Sequence, residues 1–206
     1  MAAAAPPKPA KRSPGRPRDK SREKAILQQT LAILGEVGFV GLTVDAVAAR
    51  AKASKATIYR RWSTKEELAI AAFDLLPELE LDETGNLEDD IVGYIAQYGG
   101  VLRTTPLRSV LPSLVAEAMH NRDLSDKLHQ TVARRRRPGV RLIEHAVERG
   151  ELPAGTDAEQ AHELFIGPML NRSFFDHERF SIDDFRTMAR VVIAGLRAIK
   201  PSTGAG

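Results

Sequence analysis

The 206-residue chain is 43% hydrophobic and lacks cysteine. It therefore has material for a buried core, while disulfides, thiolate zinc sites, cysteine nucleophiles and thiol redox sensing are excluded, as suits a reducing cytosol. No run approaches the about 18 apolar residues of a membrane span, and the opening Ala, Pro, Lys and Arg residues lack the apolar stretch of a secretion signal. The net charge of +3 conceals a split: residues 1–65 hold fourteen Lys/Arg against four Asp/Glu, and residues 66–206 hold sixteen against twenty-three. A polyanion would be drawn to the first third and repelled by much of the remainder.

In chain order, residues 1–19 read as a disordered basic arm, with five cations and no acid among the first eighteen. Within it, Gly15-Arg16-Pro17-Arg18 offers Arg16 and Arg18 to the narrow minor groove of A·T-rich DNA; a merely solvated tail fits the same residues. From Lys20 to Val37, apolar residues recur at helical spacing until Gly38. Further helices are expected at about 44–51, 55–62 and 65–76. Residues 20–76 thus form a first domain, and Pro77 with the acidic stretch to Gly85 begins a second, 77–206. There, helices are predicted at about 87–104, 107–120, 123–149, 158–175 and 182–199, for roughly nine in an all-α fold. Asn86 with Asp89, Asp157 with Gln160 and Ser181 with Asp184 resemble capping boxes. Pro138-Gly139 should kink or split the 123–149 helix, and the tail from Pro201 reads as frayed.

The segment TVDAVAARAKASKATIYRRWSTKEEL, from Thr43 to Leu68, concentrates the functional signals. Thr43 can cap a helix whose Val44, Val47, Ala48 and Ala51 form one apolar stripe. Lys52-Ala53 makes a tight turn, and Ser54 can cap the next helix. In that helix Ile58 and Trp62, four apart, face inward, so Ala56, Thr57, Tyr59 and Arg60 point the other way. A small, hydroxylated and cationic outer face suits a helix laid in the major groove. Ser63-Thr64-Lys65-Glu66 reads as a capping box, and a cation in its first turn opposes the helix dipole, which suggests a phosphate partner for Lys65. Two short helices around a tight turn occur in many all-α proteins. The conjunction with caps, a basic face, a basic arm and segregated charge is what points to double-stranded DNA.

Residues from about Gly15 to Phe73, through GRPRDK, AILQQTLAILGEVGFVGLTVDAVAARA and SKATIYRRWSTKEEL, closely resemble the N-terminal domain of the tetracycline-repressor (TetR) family. RRRRPGVRLIEHAVERGEL and the helix holding Gly167-Pro168 more loosely resemble actinobacterial-type C-terminal regulatory domains of that family. Ala56 departs from the glycine that many members carry, and its methyl could touch a thymine methyl. The resemblance implies a homodimeric regulator, usually a repressor, whose second domain binds a small molecule that changes the spacing of two reading heads. Carried over by position, Thr43, Ser54, Tyr59 and Lys65 would hold phosphates, with Lys55, Thr57 and Arg60 nearest base edges.

An effector cavity is then expected among the helices at about 87–104, 107–120, 123–149 and 158–175, with Tyr94, Tyr98, Leu102, Met119, His145, Phe165 and Met169 as candidate lining. A four-helix dimer interface is expected from the last two helices, through Leu164, Met169, Leu170, Phe174, Val192, Leu196 and Ile199. Arg134 to Arg137 circle a helix and read as a solvated face, with a second nucleic-acid patch as the other possibility. The five histidines show no metal-ligand spacing, and no nucleophile elbow or phosphate loop occurs. Neither an enzyme, a metal nor a cofactor is expected. The reading is a cytoplasmic, nucleoid-associated, ligand-released repressor of a pseudo-palindromic operator; a ligand-independent architectural DNA-binding protein is the alternative, which the large acidic domain disfavours.

Overall fold

The computed structural model describes residues 18–81, 83–175 and 181–199. Arg16, most of the expected basic arm and the tail from Pro201 lie outside them. The described residues form nine helices: α1 (Arg18–Gly41), α2 (Val44–Arg50), α3 (Lys55–Tyr59), α4 (Lys65–Phe73), α5 (Leu87–Thr104), α6 (Leu107–Ala118), α7 (Arg122–Glu148), α8 (Ala158–Phe175) and α9 (Ile182–Ala198). The all-α expectation therefore holds for what is described.

Helix ends follow local chemistry. Gly38, with φ of 70°, interrupts α1 where a left-handed residue is needed. The helix expected over 65–76 stops at Phe73, and Leu75 and Leu76 continue as turns, because Pro77 disfavours helical backbone in the residue before it. The expected Ser63–Glu66 box is displaced by one residue: Thr64 caps α4 by accepting from the Glu67 amide, and Glu67 accepts from the Ser63 amide. Ser181 and Asp184 do form a reciprocal box.

Pro138 does not split α7, which runs through it for 27 residues. The lost helix bond is offset by burial on both sides of the proline, with Leu124 and Leu128 before it and Val140, Ile143 and Ala146 after it. Gly139 brings α7 against the core. A Cβ there would meet the rings of Tyr94 and His162 at 2.6 Å each, so only hydrogen fits.

One continuous core joins the first four helices to the rest. Ile26, Leu34, Val47, Ile58 and Leu68 are fully buried in the N-terminal head, as are Ile91, Tyr94, Leu114, Ile143, Phe165 and Met169 beyond it. The head is seated on α6 and α7 through α1 and α4. Gly35 in α1 lies so close to Pro106 that a Cβ would come within 2.8 Å of the proline's own. Helices α5, α7, α8 and α9 pack on one another behind this seat.

Candidate nucleic-acid interface and effector cavity

The helix-turn-helix is built from two capped helices and a strained turn. The Thr43 hydroxyl accepts from the Ala46 amide at 3.2 Å, and the Ser54 hydroxyl accepts from the Thr57 amide at 3.2 Å. Between α2 and α3, Lys52 takes a left-handed φ of 49°, a conformation most side chains pay to adopt. Ile58 is wholly buried and Trp62 is 8% exposed, so both anchor α3 from its inner side even though the helix proper ends at Tyr59.

The outer side is presented as the periodicity requires. Ser54, Lys55, Ala56, Tyr59 and Arg60 are exposed, Thr57 is half-buried, and Thr43 is exposed on the adjoining cap. Two cations are partly engaged within the chain. Lys55 pairs with Asp45 of α2, which raises its pKa. Half-buried Lys65 sets its Nζ 4.3 Å from the centroid of the Phe39 ring. Arg50 is held by Glu36 through two bonds of 2.7 and 2.6 Å, and Arg61 by Glu23, which brace α2 and the end of α3 against α1. Arg18 is the first residue of α1.

Behind the head lies a cavity of about 330 Å³. Its walls come from α5 (Tyr94, Tyr98, Val101), α6 (Leu107, Leu111, Val115), α7 (Val132, Arg135, Arg136) and α8 (His162, Glu163, Ile166, Leu170), and from the end of α4 with the segment after it (Phe73, Pro77, Leu79). These include the four helices expected to enclose it, but the lining differs from the expected set. Tyr94 and Tyr98 face the cavity; Leu102, Met119, His145, Phe165 and Met169 do not line it. Met119 is 77% exposed at the end of α6. His145 instead bonds Glu83 at 2.7 Å, in a network that joins Arg149, Glu151 and Asp90. Phe165 is buried against the wall residues Tyr94 and His162, and Met169 is buried in the core.

The polar part of the lining is unusual. The Tyr94 hydroxyl and His162 Nε2 are 3.0 Å apart, and Phe165 packs edge-on against both rings. Burial pushes the Tyr94 and Tyr98 phenols up and drives the His162 imidazole down to about 4, with Arg136 adding to the latter. His162 is therefore neutral near pH 7. A phenol that donates to Nε2 leaves the proton on Nδ1, which is buried without a partner among the described residues.

The four arginines are not a merely solvated face. Arg134 pairs with Asp74 and Glu78, Arg136 with Glu159 and Glu163, and Arg137 with Glu144. Arg135 lines the cavity and donates to the carbonyl oxygens of Asp74, Leu76 and Pro77. The signal for Arg135 was its register. It shares one side of α7 with Leu128, Val132 and Gly139, at four, three and four residues' spacing.

The expected interface residues divide between two sides of α8 and α9. Met169 and Leu196 are buried within the subunit, Leu170 lines the cavity, and Phe174 and Val192 are half-buried. Leu164 and Ile199 are exposed. The outward sides carry Leu164, Pro168 and Phe175 on α8, and Val191, Ala194, Gly195 and Ala198 on α9, all exposed. Of the expected stripe, only Met169 and Leu196 belong to the chain's own core.

Residues 26–72 match the model for bacterial regulatory proteins of the tetR family, and residues 81–192 match that for the tetracyclin repressor-like C-terminal domain. An HTH-type transcriptional regulator of Mycobacterium tuberculosis is 34% identical over 203 residues, covering 92% of this chain and 95% of the relative. The DNA-binding transcriptional repressor TetR of Mycobacteroides abscessus is 33% identical over 162 residues, covering 75% and 83%. A TetR transcriptional regulator structure from Agrobacterium tumefaciens shares the fold at a TM-score of 0.64, with 23% identity over 85% of this chain and 92% of that one. With head, cavity and matches along most of its length in agreement, the chain belongs to the TetR family and is a DNA-binding transcriptional regulator.

Proposed function

We propose that the protein is a homodimeric repressor, released from a pseudo-palindromic operator when a small molecule fills the cavity behind its DNA-binding head. The observation that carries this reading is that Phe73, the last residue of the head's last helix, and Pro77, in the segment after it, are themselves cavity wall. An occupant that reshapes that wall acts directly on α4. A ligand-independent architectural protein would have no use for such a cavity.

In this reading α3 enters the major groove, with Thr57 and Arg60 toward base edges and Lys55 beside them once it exchanges Asp45 for DNA. Thr43, Ser54 and Tyr59 hold phosphates, and Lys65 joins them from its seat on Phe39. Arg16 and Arg18 reach a minor groove. Two heads related by a two-fold axis require half-sites whose centres lie about 34–36 Å apart or a multiple of it. The outward sides of α8 and α9 join the subunits, and the small residues of α9 allow close helix approach.

The assembly is tested by light scattering on the full chain at micromolar concentration. The wild type is expected at twice the 22.6 kDa chain mass. Val191→Glu with Phe175→Glu should reduce it to a monomer, because two buried like charges per subunit cannot be solvated in an apolar seam. A monomeric wild type would sink the dimer reading.

A further inference from the structure

We propose that Arg135 makes the effector site selective for an apolar compound bearing one acidic group, and that the same guanidinium is the clasp through which that acid disturbs the head. This deepens the ligand-release reading above and rests on it. Arg135 is a half-buried cation in the cavity wall, with a side chain only 15% exposed. Its close partners are neutral. Nη1 donates to the carbonyl oxygens of Leu76 at 3.1 Å and Asp74 at 3.4 Å, and Nη2 to that of Pro77 at 2.6 Å. The nearest carboxylate oxygen, on Asp74, lies at 3.7 Å and is already paired with Arg134. Glu163, also in the wall, is paired with Arg136. The Arg135 charge is thus poorly compensated, in keeping with a pKa that burial lowers. A carboxylate delivered there by a ligand would gain a charge-assisted bond that a neutral group of the same shape would not.

The rest of the wall fixes the other half of the ligand. Phe73, Val101, Leu107, Leu111 and Ile166 leave most of the roughly 330 Å³ for an aryl or alkyl body. Regulation follows from the geometry, because the N–H groups that would turn to the ligand are those gripping the carbonyls just after α4. The Arg135 guanidinium carbon also lies 5.6 Å from the centroid of the Phe73 ring, the last residue of α4. Binding the acid and holding α4 in its present place compete for one guanidinium. A ligand shifts such an equilibrium only by its differential affinity for the two states, and a competing anion supplies that difference.

The test uses the full chain and two matched pairs, 2-naphthoate with 2-naphthamide and octanoate with octanamide. Binding is followed by calorimetry, and affinity for an operator duplex selected from random sequence by anisotropy. In the wild type at least one acid should bind at least tenfold tighter than its amide and weaken duplex affinity at least tenfold. Arg135→Met should reduce the acid-to-amide ratio to less than threefold while leaving amide binding within threefold. Arg135→Lys keeps the charge but cannot span the three carbonyls. It should still prefer the acid, yet transmit less than a third of the wild-type effect to DNA, and it stands in if the methionine variant does not fold. Equal binding of each acid and its amide, no binding of either acid at 5 mM, or an unchanged preference in Arg135→Met would overturn the proposal. The ratio is read without DNA, so it decides this inference even if no duplex is bound, a result that would defeat the repressor reading instead.

Discussion

Phe165→Ala should destabilise the protein by about 3–5 kcal/mol, the range for removing a fully buried aromatic ring. Phe165 is 0% exposed, with its ring centroid 5.7 Å from Tyr94 and 5.1 Å from His162, both edge-on. Its removal forfeits apolar burial and two aromatic contacts, and it leaves a void that helices pinned by Gly139 and Met169 cannot readily close. Against a total stability of about 5–15 kcal/mol, the loss is a large share. Urea unfolding at fixed protein concentration should show a lower midpoint with an unchanged slope. Tyr98→Phe, which trims one hydroxyl from the cavity wall, should cost less than about 1.5 kcal/mol. A Phe165→Ala cost below that of Tyr98→Phe would mean that Phe165 is not the support behind the wall.

The second large effect is pH-dependent. The His162 imidazole ordinarily titrates at 6.5 and is driven down to about 4 by burial and by Arg136. Between those values the unfolded chain binds a proton that the folded chain refuses. Stability from this group is therefore complete above pH 6.5 and drains away as the pH falls toward 4, by about 3 kcal/mol in all. His162→Gln retains an acceptor for the Tyr94 hydroxyl but does not titrate. Urea unfolding at pH 7, 5.5 and 4.5 should show a shallower acid decline for the variant, so that the two curves converge. Parallel curves would show that His162 is already charged in the fold or is exposed.

How much of this was legible in the sequence depends on which side of a helix carried the signal. The head was read from local rules that the fold obeys: hydroxyl caps at Thr43 and Ser54, and Ile58 with Trp62 four apart on the inner side. Four of the helices that wall the cavity could be placed, because helix spans follow from periodicity, but Phe73, Pro77 and Leu79 were missed. Which residue of each helix faces the void could not be placed, since Tyr94, which lines it, and Phe165, buried against Tyr94, obey the same apolar spacing. The arginine run hid a clear clue. Four consecutive residues circle a helix, so some of them must face the cavity: Arg135, in register with Leu128, Val132 and Gly139, does so, and Arg136 lines it beside that stripe. The partners that make it tolerable, the carbonyls of Asp74, Leu76 and Pro77, are about 60 residues away and invisible to any local pattern. The expected interface stripe mixed two environments for a related reason: Met169 and Leu196 are buried within the chain, while Leu164 and Ile199 are exposed. Burial within one chain and burial between two leave the same apolar spacing, so spacing alone does not separate them.

The central claim, that the outer side of α3 reads DNA sequence, is tested most directly by one anisotropy titration. A selected palindromic duplex and its scrambled counterpart are each titrated with wild type and Arg60→Ala at the same salt concentration. The Arg60 side chain is exposed, whereas Ile58 and Trp62, which hold α3, are buried. The substitution should therefore spare the fold and cost about 1–3 kcal/mol on the selected duplex while changing affinity for the scrambled one far less. Equal losses on both duplexes would contradict the account, since they would reduce Arg60 to a contact with the phosphate backbone.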